Sequence, residues 1–261
     1  MNILYVGDIM GEPGIETVRA VLPGIKKERQ IDLVIAQAEN VTDGKGMSLD
    51  DMKRLQGIGV DFFTGGNHTP SRDELTPLLE DETQPVIGPA NMQDCPGKGW
   101  KYIATPKGNV LVISLLGLTV GRAVETTNPL AAIDRILDEH RNTARVATVV
   151  NFHGDYSSEK RVIGYYLDGR VTAVIGDHWH VPTADAMVLP KGTAHMTDVG
   201  MCGSLHSSLG VKTEIIMSRW RDGKVNKNEL ETDRPYQFNA ALLLVRDGLA
   251  ESIEHIQRIV N

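Results

Sequence analysis

Five short apolar runs in this chain each end in residues that can hold a metal ion, and this repeated pattern limits the fold more than any single motif. The runs close on Val6-Gly7-Asp8, on Ala38-Glu39-Asn40, on residues 60–64 before Gly65-Gly66-Asn67-His68, on Val149-Val150-Asn151-Phe152-His153, and on residues 171–176 before Asp177-His178-Trp179-His180. Leu33-Val34-Ile35-Ala36 is unbroken, as expected of a strand covered on both faces. A helical stretch follows each of the first three runs. One spans residues 15–29, a second opens on the N-cap and acidic turn Ser48-Leu49-Asp50-Asp51, and a third opens on the capping box Ser71-Arg72-Asp73-Glu74. The order is β-α-β-α-β-α with polar residues at strand carboxyl ends, where α/β sheets bind ligands. Gly65-Gly66 lets the chain turn tightly at the sheet edge.

The remaining pattern is consistent with this. Residues 85–106 read as irregular around one strand at 100–104, followed by a strand at 110–116. Residues 117–129 form a loop long enough to close over a site, although a plain connection reads equally well. A helix at 130–140, a strand at 145–152 and a helix from Ser157 to about residue 168 follow. Met187 to Thr197 reads as a hairpin about Pro190-Lys191-Gly192, and 198–203 as a glycine-bearing loop able to aim N–H groups at an anion. Asp247-Gly248 predicts a second hairpin between runs at 238–246 and 250–260, with a helix as the alternative for the last segment.

At 261 residues the chain can bury a core without disulfides, and it reads as one domain over 1–261. Its net charge of −7 argues against an extended nucleic-acid surface while leaving room for a single nucleotide. No run is long enough to cross a bilayer, and the first residues enter a strand without a leader peptide. Two cysteines, Cys95 and Cys202, make no disulfide framework and point to a reducing cytoplasm. A homo-oligomer remains open.

Taken singly, each strand end has a bland explanation: Asp8 as a turn residue, Glu39-Asn40 as a cap, His178-x-His180 as solvated histidines. Taken together they do not. Buried acids at several strand ends repel one another unless cations compensate them. Histidines two apart on an extended backbone share one side and can face one ion or two neighbours. Carboxylate, amide oxygen and imidazole suit iron, manganese or zinc better than calcium, and are too rich in nitrogen for magnesium. Asp8, Glu39, Asn40, Asn67, His153, His178 and His180 exceed what one tetrahedral ion needs; two ions bridged by a carboxylate would use them all. His140 and His255 read as surface residues, and His195 and His206 as outside candidates. His68, on an extended turn, is expected to point away from the ligand Asn67, toward substrate, as the general acid for the leaving oxygen. The alternative is that it orients the site or acts as a fixed cation.

Gly7-Asp8, Glu39-Asn40, Gly66-Asn67-His68, Phe152-His153 and His178-x-His180 together resemble the calcineurin-like metallophosphoesterase superfamily. Ser158-Glu159-Lys160, Thr183-Ala184-Asp185, the stretch 189–194 and Thr197-Asp198-Val199-Gly200-Met201 resemble its YmdB-type phosphodiesterase branch, and the likeness runs over nearly the whole chain. Met10 stands where the superfamily carries the histidine of Asp-x-His; in this branch the asparagine after the bridging glutamate replaces it, here Asn40. The resemblance implies an α/β sandwich of two packed mixed sheets flanked by helices. It also implies a binuclear centre, often di-iron, that hydrolyses cyclic nucleotides such as 2′,3′-cAMP with a metal-bridging hydroxide. By position, Asp8, Glu39, Asn40 and His180 would hold one ion, and Glu39, Asn67, His153 and His178 the other. Pro70-Ser71, Gly154-Asp155-Tyr156 and Trp179 depart from the branch's usual Trp-Asp, Ala-Glu-Ala and Thr, near the mouth of the site, and so bear on substrate preference. A phosphomonoesterase, or a nucleotide-binding regulatory protein with little turnover, would use the same ligands.

Overall fold

A computed structural model describes residues 1–120 and 124–261; part of the 117–129 loop, read as either a cover for a site or a plain connection, lies at 121–123, outside the described residues. The chain runs β1 (Asn2–Val6), β2 (Asp8–Ile9), α1 (Gly11–Glu28), β3 (Leu33–Gln37), α2 (Leu49–Ile58), β4 (Phe62–Thr64), α3 (Thr76–Glu80), β5 (Trp100–Thr105) and β6 (Gly108–Leu116). It continues with α4 (Pro129–Glu139), β7 (Ala147–His153), α5 (Ser157–Tyr166), β8 (Ala173–Asp177), β9 (Met187–Val188), β10 (Ala194–Met196), β11 (Met201–Ser204), α6 (Thr213–Asp222), β12 (Tyr236–Arg246) and β13 (Leu249–Val260).

Two mixed sheets result. One has the order β2-β11-β12-β1-β3-β4, with β13 paired to β12; the other has the order β5-β6-β7-β8-β10-β9. The unbroken apolar runs explain their stacking, because alternate side chains on a strand point to opposite faces. Ile3, Tyr5, Leu33 and Ile35 meet Val110, Val112, Val149 and Ile175 in a core between the sheets. Leu4, Val6, Val34 and Ala36 pack outward against Ile15, Val18, Leu22 and Leu55 of α1 and α2. Leu111, Ile113, Val150 and Val174 face Ile133, Ile136 and Ile163 of α4 and α5. The layers are therefore helix, sheet, sheet, helix, the α/β sandwich expected. Truncating a fully buried residue of the middle layer, such as Ile35 to Ala, would cost about 2–5 kcal/mol.

Several local expectations hold. Ser48 caps α2 by accepting from Asp51 N at 3.1 Å. The β9/β10 and β12/β13 hairpins form, the second about Asp247 and Gly248 at φ +51° and +82°, so the last segment is a strand and not a helix. Others are corrected. Residues 8–14 are not a loop: Asp8–Ile9 pairs with Met201 and Cys202, and α1 starts at Gly11, with Pro13 in the first turn where its missing N–H is harmless. The capping box at Ser71 does not form; Thr69–Ser71 and Asp73–Leu75 are short 3₁₀ turns, and α3 begins only at Thr76. Residues 198–203 are not an anion loop, since Met201–Ser204 is a strand and Gly200 N donates to Asp198 Oδ1. The helix α6 has no buried residue, and so carries no strong apolar stripe to announce it.

Candidate metal centre

The middle layer changes character at one end. The alternation that points Ile3, Leu33 and Ile35 between the sheets places Tyr5, Gln37, Asn151, His153 and Asp177 in the same layer, near the carboxyl ends of their strands. All five are fully buried. Asp8 on β2, Glu39 and Asn40 after β3, Asn67 and His68 after β4, and His178 and His180 after β8 surround them. The apposition is tight: a Cβ on Gly66 would lie 2.4 Å from Glu39 Oε2 and 2.6 Å from His153 Nε2. Only glycine lets that backbone pass.

The structure brings all seven expected ligands together. Glu39 Oε1 lies 3.1 Å from His153 Nε2, which is 2.9 Å from Asn67 Oδ1. The His178 ring sits 4.3 Å from that of His153, centroid to centroid. Glu39, His153 and His178 each offer a ligand atom, all within 4.8 Å of one another. Beside them, Asp8 Oδ2 accepts from Asn40 Nδ2 at 2.9 Å and lies 3.2 Å from His180 Nε2. Asn40 Nδ2 also lies 3.4 Å from Glu39 Oε1, which joins the two groups. Asp8 Oδ1 is buried without a hydrogen-bond partner among the described residues. A buried carboxylate oxygen left unpaired is costly, and a cation is the partner that this donor set would accept. The residues fit a transition-metal site.

The electrostatics agree with that fit. Burial pushes the Glu39 carboxyl up, but the His153 imidazolium and its hydrogen bond outweigh it and bring the pKa to about 2. Burial would lower His153, yet the Glu39 and Asp177 carboxylates hold it well above its ordinary value. His180 is likewise raised, against its burial, by Asp8. His178 falls to about 4 through burial and the neighbouring His153 charge. Protons on His153 and His180 thus supply positive charge among carboxylates, a charge that a bound cation would replace.

Two geometric expectations fail. His178 and His180 are not on extended backbone; their φ angles are +97° and +61°, so the side chains diverge, His178 toward His153 and His180 toward Asp8. His68 is in the right-handed region at φ −91°, ψ −2°, not on an extended turn, and its Nδ1 lies 2.9 Å from Asn40 Oδ1. Asn40 therefore presents its nitrogen to Asp8 and its oxygen to His68. His140, expected at the surface, is buried with its ring 4.1 Å from Trp100, and His255 is half-buried against Asn239 Oδ1 at 3.2 Å. His195 is buried on β10 with Nδ1 on Val174 O, and His206 is exposed; neither joins the cluster.

A model of YmdB-like proteins matches residues 4–256. The chain belongs to the YmdB-like family. The 2′,3′-cyclic-nucleotide 2′-phosphodiesterase of Bacillus subtilis (strain 168) is 36% identical over 242 residues, which covers 92% of this chain and 86% of that protein. Among solved structures, a hypothetical protein from Thermus thermophilus matches with a TM-score of 0.91 and 34% identity over 100% of both chains. A novel phosphatase from Mycoplasma pneumoniae matches with a TM-score of 0.91 and 29% identity, over 99% of this chain and 93% of that one. The chain is a hydrolase acting on phosphoric ester bonds. Among the described residues no helix is long and apolar enough to cross a membrane.

In this YmdB-like site, reasoning from the sequence missed the residues behind the ligands. Asp177 Oδ1 lies 2.6 Å from His153 Nδ1, and Oδ2 accepts from Asn151 Nδ2 at 2.5 Å and Gln37 Nε2 at 2.9 Å. A carboxylate behind a ligating histidine orients the ring and fixes its tautomer. The available signal was its place directly before His178-Trp179-His180. Asp155 Oδ1 lies 2.9 Å from His178 Nε2, and Trp179 Nε1 donates to Asp155 O at 2.8 Å. Trp179 thus braces the Asp155 loop.

Proposed function

We propose that this YmdB-like chain, working as one domain over residues 1–261, hydrolyses a cyclic-nucleotide phosphodiester of the 2′,3′-cAMP kind at a centre of two transition-metal ions. Iron is the first choice, with manganese or zinc as alternatives. The observation that carries this reading is the position of Glu39. It connects to Asp8 and His180 through Asn40, and to Asn67 and His178 through His153. The name of the Bacillus subtilis relative supplies the substrate class.

Asp8, Glu39, Asn40 and His180 would hold one ion, and Glu39, Asn67, His153 and His178 the other. Bound there, the ions lower the pKa of a water nucleophile and neutralise charge on the phosphoryl oxygens. The protein's own groups do the rest. Asp177 engages His153 Nδ1 and leaves Nε2 facing inward. The Leu209 carbonyl accepts a hydrogen bond from His180 Nδ1–H at 3.1 Å and so leaves Nε2 of that ring facing inward. Asn40 would ligate through Oδ1, whose second lone pair faces His68 Nδ1 at 2.9 Å and accepts from the imidazolium in its acid form. His68 Nε2 then serves the leaving ribose oxygen as a proton donor. Burial lowers the His68 pKa, and the negative charge of a bound phosphodiester opposes that shift.

A second reading, a phosphomonoesterase, is favoured by the description of the Mycoplasma pneumoniae structure as a phosphatase. Elemental analysis, together with product formation from 2′,3′-cAMP, 3′,5′-cAMP and nucleoside monophosphates under added Mn²⁺ or Fe²⁺, tests both. Fastest turnover of 2′,3′-cAMP is expected. Turnover of monoesters alone would establish the second reading, and absence of metal and of metal-stimulated turnover would overturn both. We place the protein in the cytoplasm, a reading supported by the unpaired thiols of Cys95 and Cys202.

A further inference from the structure

We infer that Lys160 and Asp198 are positioning residues whose buried ion pair holds the His178-Trp179-His180 turn in its left-handed form, sending one imidazole to each side of Glu39. The inference deepens the metal reading above and rests on it. Both side chains are fully buried, with Lys160 Nζ 2.6 Å from Asp198 Oδ2. A buried ion pair is seldom the most stable way to fill such a space, since apolar residues of similar volume often serve the fold as well or better. Its hydrogen bonds show what else it does. Lys160 Nζ donates to Asp177 O at 2.6 Å, and Asp198 Oδ2 accepts from Trp179 N at 2.9 Å. The carbonyl preceding His178 and the N–H following it are thus both tied to one pair. Lys160 Nζ also lies 4.0 Å from the centroid of the Trp179 ring, so the residue between the two histidines is gripped by backbone and side chain alike.

The grip matters because positive φ is costly for a residue with a side chain, and persists only where surrounding contacts impose it. Asp198 is itself anchored: its N–H donates to Thr183 Oγ1 and its carbonyl accepts from Thr183 N, each at 2.9 Å. Asp185 then accepts from Thr183 Oγ1 at 2.6 Å and from Thr197 Oγ1 at 2.5 Å. Three sequence motifs that supply no metal ligand, around 158–160, 183–185 and 197–201, converge in this network behind the turn.

Lys160→Met strands the Asp198 carboxylate and can unfold the chain on that ground alone. The double variant K160M/D198N, which leaves no unpaired buried charge, is therefore measured beside it. Metal-free proteins are checked for a cooperative melt, then titrated with Mn²⁺, with the EPR signal of a coupled manganese pair as the readout. Wild-type protein should take up two equivalents and show the coupled signal. The folded double variant should bind Mn²⁺ about 10- to 100-fold more weakly and lack the coupled signal even at saturation. Wild-type affinity and a coupled spectrum in that variant would overturn the inference, because the pair would then serve the fold alone. A double variant that does not melt cooperatively overturns it in the same way. Wild-type protein that takes up neither Mn²⁺ nor Fe²⁺ overturns the metal reading itself, and the inference with it.

Discussion

His153 and His180 both face the cluster through Nε2, but what stands behind them differs. His153 ends β7, and its Nδ1 meets the Asp177 carboxylate on the neighbouring parallel strand, where the two residues are register partners. Asp177 is in turn held by Asn151, Gln37 and, at 3.3 Å, Tyr5. His180 lies on a loop in the left-handed region, and its Nδ1 meets the carbonyl of Leu209, itself at φ +56°. A strand carboxylate backs His153; a loop carbonyl backs His180. Preorganised ligands lose less freedom on binding, so the His153 half should bind metal more tightly and fill first.

Glu39→Ala should have the largest effect, because this carboxylate is the group proposed to serve both ions. Elemental analysis should find both ions gone; retention of one would mean that the halves are built independently. Asp8→Ala should remove the ion beside His180 and leave the other in place. If it strips both, the contrast between strand-backed and loop-backed histidines has no functional meaning. His68→Ala belongs to neither half and should keep both ions. It should slow cyclic-nucleotide turnover by about a hundredfold to ten-thousandfold, and p-nitrophenyl esters much less, since their leaving group needs no proton. Equal losses on both substrate types would remove His68 from the role of acid. The mildest change, Asp177→Asn, sharpens the comparison most. It should weaken the His153 half about 10- to 100-fold, spare the His180 half, and reverse the order of filling in a stepwise titration.

Much of the architecture is written locally. Leu33-Val34-Ile35-Ala36 reads as a strand covered on both faces, Ser48 names the start of α2, and Asp247-Gly248 names the last hairpin. The ligand types at the strand ends were visible for the same reason. Ser71-Arg72-Asp73-Glu74 misled because a capping box is only a local preference, and the chain there closes as 3₁₀ turns instead. The strands β2 and β11 were invisible because each is short and finds its partner far along the chain. No periodicity marks a pairing of two or four residues.

By itself the sequence determined which side chains stand at the carboxyl ends of the strands, and that alternate residues of those strands must serve two cores. Both follow from rules that act over a few residues: side-chain alternation, turn chemistry and the cost of buried unpaired charge. Only the tertiary structure decided that Asp177 backs His153, that Lys160 and Asp198 grip the histidine turn, and that His178 and His180 diverge instead of sharing a side. Those outcomes depend on strand register and on hydrogen bonds between distant residues, such as Gln37 to Asp177 across 140 positions. The physical reason is that φ at His178 and His180 is imposed from outside the segment. Isolated, that turn would relax to the extended form its side chains prefer; packed against Asp198, it cannot.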